Sequence, residues 1–185
     1  MKTMRIFSYL CVLSLAACGD PSQGDHECTE SEEPAQLKLA LSSNELEPMF
    51  DVVDNDDAMM QIGSQGGFHI WVHAKTRGLC PHQIHIEREI RMADTNDLIG
   101  IGATETDLQT SETSPDWNET LTANAAVVCQ PPIGVNIVDA NVTLKVTVRD
   151  QFDKTATDER VLNLRCPTED TGVFNTCHSV CNNEV

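Results

Sequence analysis

Apolar and polar residues alternate in short runs along most of this chain, which is the period of a β-strand with one buried face. In the clearest run, from Val142 to Val148, every second residue is aliphatic. A second run follows at 160–164, and the segment 149–154, which holds two Asp residues, separates the two runs. Two such runs joined by a turn predict a β-hairpin.

Shorter strand-like runs precede this hairpin, and turn residues separate them. They lie at 37–41, 49–53, 68–74, 84–87, 98–104 and 121–128, with a loop rich in Ser, Thr and Pro at 109–117. The sequence contains no internal repeat and no long run with the period of a helix. This pattern predicts an all-β, antiparallel sandwich of seven or eight strands over residues 35–166.

The series of strands that ends in this hairpin resembles the immunoglobulin-like modules of bacterial surface proteins. The resemblance implies two sheets, with the strands at 68–74 and 84–87 in different sheets. The chain lacks the Cys, Trp, Cys arrangement of antibody domains, so a core disulfide of the antibody type is not expected.

The first 17 residues have the pattern of an export signal. Lys2 and Arg5 flank the start of an apolar stretch at 6–16, which is shorter than the ~20 residues that a membrane-spanning helix needs. The next residues, Leu15-Ala16-Ala17-Cys18, resemble the lipobox of bacterial lipoproteins. The alternative is a cleaved secretory signal in which the cysteine is a coincidence.

The lipobox resemblance implies cleavage before Cys18 and attachment of a lipid to its sulfur. Gly19 follows this cysteine, where an Asp would resemble an inner-membrane retention signal. The resemblance therefore implies a lipid anchor in the outer membrane that faces the periplasm or the cell surface. Residues 18–34 carry many acids and no apolar period, which predicts a disordered, lipidated tether.

The chain of 185 residues is strongly acidic, with 12 Lys and Arg against 29 Asp and Glu and a formal charge of -17. Removal of residues 1–17 would remove Lys2 and Arg5 and no acid, which leaves 10 bases, 29 acids and a charge of -19. This balance argues against a nucleic-acid partner, because phosphates are held mainly by Lys and Arg.

Eight cysteines are present, of which Cys11 would leave with the signal and Cys18 would carry lipid. The other six, an even number in an exported chain, predict disulfides whose pairing the spacing leaves open. The immunoglobulin-like topology implies the pairs Cys28–Cys80 and Cys129–Cys166, and leaves Cys177–Cys181 for the C-terminal tail at 167–185. A metal site at Cys177, His178 and Cys181 is the alternative for that tail.

Alternation in the run at 68–74 places four apolar residues on the inner face and His69, Trp71 and His73 on the outer face. An exposed Trp is unusual and often marks a contact surface, so these three residues are candidates for binding a partner protein. The other interpretation is that the histidines are ordinary polar residues and that a neighbouring segment covers Trp71.

A metal site is a second hypothesis for the same histidines. If the runs at 68–74 and 84–87 formed one hairpin, His73 would face His85 with His69 nearby, and imidazoles are ligands for Zn²⁺ or Cu²⁺. The sandwich opposes this hypothesis, because it puts the two strands in different sheets. Aspartates at 51, 54, 56 and 57, and at 150 and 153, offer oxygen ligands for Ca²⁺ but lack the spacing of an EF-hand loop.

The sequence contains no Gly-x-Ser-x-Gly, His-Glu-x-x-His or phosphate-loop motif. The sequence does not exclude a hydrolase that uses two carboxylates, because a chain with so many Asp and Glu residues always contains pairs of them. We therefore expect a non-catalytic, lipid-anchored envelope protein without a cofactor, which acts as a structural or protein-interaction module with an envelope or surface protein as its partner. Metal binding through His69, His73 and His85 is the alternative function.

Overall fold

The structure is a computed structural model that describes residues 28–129, 136–167 and 172–182. The expected signal peptide at 1–17, the lipid attachment at Cys18 and residues 18–27 of the expected tether lie outside the described residues. In the part of the chain that is described, no helix combines the length and the apolarity needed to cross a bilayer.

The described residues form twelve strands and one helix. In chain order these are β1 (Gln36–Ser42), β2 (Phe50–Asp51), β3 (Asp56–Met59), β4 (Gln61–Ile62), β5 (Phe68–Arg77), β6 (Ile84–Met92), β7 (Leu98–Thr106), β8 (Leu108–Thr110), β9 (Asn118–Thr120), β10 (Asn124–Cys129), β11 (Asn141–Arg149), β12 (Thr155–Arg165) and α1 (Gly172–Cys181).

The strands form two sheets. The first has the order β2-β1-β5-β9-β8, with β4 and β10 also paired to β5, and the second has the order β3-β12-β11-β6-β7. The buried apolar residues of both sheets form one core cluster between them. Because β5 and β6 are consecutive long strands in opposite sheets, and β6, β11 and β12 share a sheet, the arrangement is immunoglobulin-like.

The expected all-β sandwich is therefore confirmed. Seven strands have six or more residues, which agrees with the expected seven or eight. The five others have two to four residues, too few for alternation to reveal them. The sandwich departs from a purely antiparallel arrangement at one place, since β3 pairs with β12 in parallel.

The hairpin of β11 and β12 is confirmed, with Val142 opposite Leu162 and Arg149 opposite Thr155. Asp150 holds its turn together: Oδ1 accepts hydrogen bonds from the backbone N–H groups of Phe152 and Lys154, at 2.9 and 3.0 Å. Its other oxygen accepts from the backbone N–H of Cys80 at 3.1 Å. One buried carboxylate thus fixes the turn and joins it to the β5–β6 connection.

Residues 28–34, which were expected to belong to the disordered tether, lie against this end of the sandwich. Cys28 is bonded to Cys80, and the Lys154 ammonium donates to the backbone carbonyls of Ser31 and Glu33. Gly78, with a φ of 74°, leaves room for the approach, because a Cβ there would lie 2.6 Å from the Pro34 carbonyl oxygen. Ordered contacts therefore begin before residue 35.

The disulfides agree with the expectation at one end of the sandwich only. The Cys28–Cys80 pair is present, whereas the expected Cys129–Cys166 and Cys177–Cys181 pairs are wrong. Cys129 pairs with Cys181 and Cys166 with Cys177, with Cα–Cα distances of 5.7 and 5.8 Å.

The different pairing follows from α1. Residues four apart lie on one face of a helix, so α1 presents Cys177 and Cys181 side by side, and both are buried. That face meets the ends of β10 and β12, which carry Cys129 and Cys166, and each helix cysteine therefore pairs with a strand. The described part of the expected C-terminal tail is thus a helix that packs on the core.

Candidate binding surface

β5 lies in the middle of the first sheet, between β1 on one side and β9 and β10 on the other. Its predicted inner face is confirmed, since Phe68, Ile70 and Val72 are at most 2% exposed. The outer face is also covered: His73 is 2% exposed and His69 is 8% exposed. The prediction that both histidines are free on a solvent face is therefore wrong, because flanking segments contact them.

His73 is enclosed by two hydroxyl groups from neighbouring strands. Its Nε2 lies 3.0 Å from Ser42 Oγ, and its Nδ1 lies 3.1 Å from Thr120 Oγ1. The Ser42 hydroxyl donates its hydrogen to the Asn44 carbonyl oxygen at 2.6 Å. His73 Nε2 therefore donates to Ser42, and Nδ1 accepts from Thr120.

This tautomer decides between two uses of the Ser42–His73 pair. A histidine that activates a serine must accept the serine hydrogen, whereas here the imidazole donates to the serine oxygen. Burial also lowers the pKa of His73, which favours the neutral ring. The pair therefore joins β5 to its neighbours in the sheet.

The structure separates the histidines of the metal hypothesis. His85 lies on β6, in the second sheet, where its Nε2 is 3.2 Å from Glu87 Oε1. No group of three His, Cys, Asp or Glu residues suited to a metal occurs among the described residues. In the C-terminal segment, the thiols of the alternative metal site are used in disulfides.

The aspartates considered for Ca²⁺ make separate contacts. Asp54 and Asp56 accept hydrogen bonds from the backbone N–H groups of Val161 and Val53, at 3.0 and 2.9 Å. Asp57 pairs with Arg165 at 2.9 Å. Asp54 and Asp57 thus hold the segment around β3 against β12, and Asp56 makes a contact within that segment.

Trp71 and His69 form one wall of a groove of about 620 Å³ on the outer face of the first sheet. Their rings are nearly perpendicular, at 83°, with centroids 4.4 Å apart. The groove, called the Trp71 groove below, runs between the β4–β5 turn and β10. Its lining consists of Ile62, Gly63, Ser64, Gln65, Gly67, Phe68, His69, Trp71, Ala125 and Val127.

His69 has an unusual environment in this groove. Its Nε2 is buried and has no hydrogen-bond partner in the described part of the chain. Burial lowers the pKa of His69, so the ring is neutral at pH 7. Gly63 makes room for it, because a Cβ at that position would lie 3.3 Å from His69 Nδ1.

The described residues that line the Trp71 groove include no Asp, Glu, Lys or Arg. A second concavity, of about 510 Å³, lies at the end of the sandwich where β11 turns into β12, and its lining is highly charged. Its lining includes Glu105, Asp107, Arg149, Asp150 and Asp153. The groove is therefore a neutral site on a protein with a formal charge of -17.

A second uncharged surface follows the edge strand β7. This strand pairs with β6 on one side, and no other described strand pairs with it. Residues 98–103, called the β7 edge below, carry no charge, and Leu98 and Ile101 are 49% and 76% exposed. Gly100 lets β10 pack closely beneath, because a Cβ there would lie 2.2 Å from the Val127 carbonyl oxygen.

The sequence indicated parts of these two surfaces. Trp71 and His69 were selected because of their place in an alternating strand, and both line the groove. The contributions of Ser64, Gln65 and Val127 were not predicted, because they come from a turn and from a strand distant in sequence. A strand at 98–104 was predicted, but its edge position depends on sheet order.

Comparison with known proteins adds little to this description. No family model matches the chain, and no curated protein matches it. Among solved structures, that of murine CRIg aligns with 74% of this chain and 100% of its own chain, with 12% sequence identity and a TM-score of 0.29.

Proposed function

We propose that this protein is a non-catalytic, lipid-anchored module of the outer membrane that binds an extended segment of a partner protein along the β7 edge. The anchor is Cys18, on the lipobox resemblance of Leu15-Ala16-Ala17-Cys18. Two long acyl chains make attachment to a membrane effectively permanent. The partner is an envelope or surface protein.

The exposed apolar side chains of the β7 edge carry the proposal. Natural edge strands are usually blunted by charged residues or proline, because unpaired backbone groups recruit other strands. The charged residue of β7 is Glu105, near its C-terminal end. Residues 98–103 have neither charge nor proline, and the side chains of Leu98 and Ile101 are largely exposed. An extended segment that paired here would gain backbone hydrogen bonds and would cover both side chains.

Surrounding charges define the chemistry of this partner. Glu105, at the end of β7, has an 84% exposed side chain, and Glu87 on the adjacent strand has a 63% exposed side chain. These carboxylates favour basic residues beside the apolar positions of the incoming segment. The proposed ligand is therefore a strand with alternating aliphatic and basic residues.

A photo-crosslinking residue in intact cells tests the docking site. With the crosslinker in place of Ile101 we expect one dominant adduct, and with it in place of the exposed Glu159 on β12 we expect none. Leu98→Lys, which places a charge on the edge, should abolish the adduct while the melting temperature stays unchanged. Equal adducts at both positions, or an adduct that survives Leu98→Lys, would contradict the proposal.

Metabolic labelling with a palmitate analogue tests the anchor separately. We expect label on the wild-type protein and none on Cys18→Ser. Unlabelled wild-type protein would reject the lipid anchor and would leave the β7 edge to be judged by crosslinking.

A further inference from the structure

We propose that the Trp71 groove is a binding site for a neutral saccharide. This inference goes beyond the proposed function, because it concerns a different surface and a different class of ligand. It rests on three features of the groove: its unpartnered hydrogen-bonding groups, the apolar part of its lining and its lack of charge.

The first feature is a set of polar side chains that make no hydrogen bond to any described residue. Ser64, Gln65, His69 and Trp71 all line the groove, and within the described residues their side chains make no hydrogen bonds. His69 is more than nine-tenths buried, and its Nε2 has no partner. Buried polar groups are nearly always hydrogen-bonded, so an unpartnered one that lines a groove is available to bond a ligand.

The second feature is the apolar part of the lining. The half-buried Trp71 indole stands beside Ala125, and Ile62 and Val127 are 44% and 36% exposed. The face of an aromatic ring carries partial negative charge and attracts weakly polarised C–H groups. A pyranose ring has such a C–H face and a rim of hydroxyl groups, and therefore matches both the apolar and the polar lining residues.

The third feature is the lack of charge, which excludes other ligand classes. An anionic ligand such as a phosphate or a uronate would have no cationic partner among the described lining residues. A purely apolar ligand, such as an acyl chain, would cover Ser64, Gln65 and His69 and leave them without partners. A neutral polyhydroxyl ligand can form hydrogen bonds with the polar lining residues through its hydroxyl groups and can contact the apolar lining residues through its C–H groups.

The β4–β5 turn holds the polar rim in place. The Gly63 N–H donates to the Gly67 carbonyl oxygen at 2.7 Å, and the Gly66 N–H donates to the Gly63 carbonyl oxygen at 3.0 Å. Gly66 has a φ of 82°, which suits glycine best. This closed turn presents Ser64 and Gln65 beside the groove, and such preorganisation favours binding.

Calorimetric titration of the full chain tests the proposal. The probes are neutral oligosaccharides of hexose and of N-acetylhexosamine, an oligogalacturonate as the anionic probe, and an uncharged acetylated tetrapeptide. We expect heat of binding with at least one neutral oligosaccharide and none with the other two probes. Binding of the tetrapeptide alone, binding of the uronate alone, or no binding by any probe would overturn the proposal.

Variants show whether binding occurs in the groove. We expect Trp71→Ala and Gln65→Ala to weaken saccharide binding by about tenfold or more, which corresponds to about 1.4 kcal/mol each. Trp117→Phe is the matched control, because Trp117, the other tryptophan, contacts Lys38 and does not line the groove. Binding that is unchanged in Trp71→Ala would also contradict the proposal.

Gln65 is exposed, so Gln65→Ala keeps the test valid if Trp71→Ala fails to fold. The two proposals are also separable. Leu98→Lys should leave saccharide binding unchanged, and Gln65→Ala should leave the crosslink at position 101 unchanged.

Discussion

At the scale of single residues, the buried polar groups of this protein fall into two kinds. His73 and Asp150 have partners for their polar atoms, and each joins segments that are distant in sequence. Arg88 is different: it occupies an inward position of β6, between Ile86 and Ile90, and is 5% exposed. Its Nη2 donates to Thr104 Oγ1 at 2.9 Å, but Nε and Nη1 have no partner among the described residues.

Arg88→Met should therefore stabilise the protein. A buried charge without a paired carboxylate opposes folding, and an apolar side chain of similar length removes that cost. We expect the free energy of unfolding in urea to rise by about 1–2 kcal/mol.

Gly102→Ala supplies the matched control, because a Cβ at that position would lie 3.1 Å from Arg88 Nη2. This substitution should destabilise the wild type and should have a smaller effect in Arg88→Met. A loss of stability in Arg88→Met would show that the guanidinium has a partner that the described residues do not provide.

The two histidines of β5 predict a dependence of stability on pH. Burial lowers the pKa of His69 and of His73 in the folded state, whereas an unfolded histidine titrates near about 6.5. The unfolded chain therefore binds more protons below that pH. Their contribution to stability is complete above about pH 6.5 and is lost as the pH falls through the lowered folded pKa values.

Thermal melts between pH 8 and pH 5 test this dependence. We expect the melting temperature to be constant between pH 8 and about pH 6.5 and to fall below about pH 6.5. His73→Asn should reduce the fall. An identical fall in His73→Asn would assign the effect to other groups.

At the scale of elements, the sequence could predict strands but not what covers them. The inner face of β5 was predictable, because alternation of Phe68, Ile70 and Val72 reports burial on that face. The outer face was not predictable, because Ser42 and Thr120 reach His73 from strands that are distant in sequence. The hairpin of β11 and β12 was predictable, because both strands and their turn are contiguous.

The pairing of the cysteines shows the same limit. Cys28–Cys80 followed from the topology alone, whereas the other two bridges required knowing that residues 172–181 form a helix. The spacing of Cys177 and Cys181 was the available signal. In a helix, cysteines with that spacing lie on the same face. Each of them then forms its disulfide with a cysteine outside the helix.

The two bridges to α1 should contribute unequally to stability. Cys129–Cys181 spans 52 residues and Cys166–Cys177 spans 11. In the chain-entropy model, the longer loop gives about 1.4 kcal/mol more stabilisation. We therefore expect the double variant Cys129→Ala/Cys181→Ala to lose that much more unfolding free energy than Cys166→Ala/Cys177→Ala.

Peptide mapping without reduction checks the pairing itself. A peptide that links Cys129 to Cys181 is expected, and one that links Cys129 to Cys166 would contradict the structure. Equal losses in the two double variants would instead show that packing of α1, and not loop closure, sets the contribution of the bridges.

At the scale of the whole molecule, the two ends of the sandwich differ in character. One end holds the Cys28–Cys80 bridge, the turn at Asp150 and the acidic concavity, and the other end holds α1. β12 runs from the first end to the second over 11 residues, and the rise of about 3.3 Å between successive residues separates its first and last residues by roughly 33 Å. The uncharged Trp71 groove and β7 edge lie on the sides between the ends.

The proposed anchor determines which end is nearer to the lipid. Ten peptide units separate Cys18 from Cys28, and a fully extended chain spans at most about 3.3–3.6 Å per residue. Cys28 is fixed by its bridge to Cys80 and lies 3.5 Å, sulfur to amide nitrogen, from Gln151. If Cys18 is lipidated, the end with Gln151 therefore stays within about 35 Å of the membrane, whereas α1 can lie farther away.

Energy transfer to an acceptor dye in the lipid measures this orientation. A donor dye at Gln151 should give stronger transfer than one at the exposed Asn175 of α1. Cys28→Ala/Cys80→Ala is the control, since it frees residues 28–30 from their covalent link while Lys154 still holds Ser31. The connection then lengthens by about 10 Å, which should reduce transfer at Gln151. Equal transfer from both positions in the bridged protein would show that the molecule lies on its side, with the Trp71 groove or the β7 edge against the lipid.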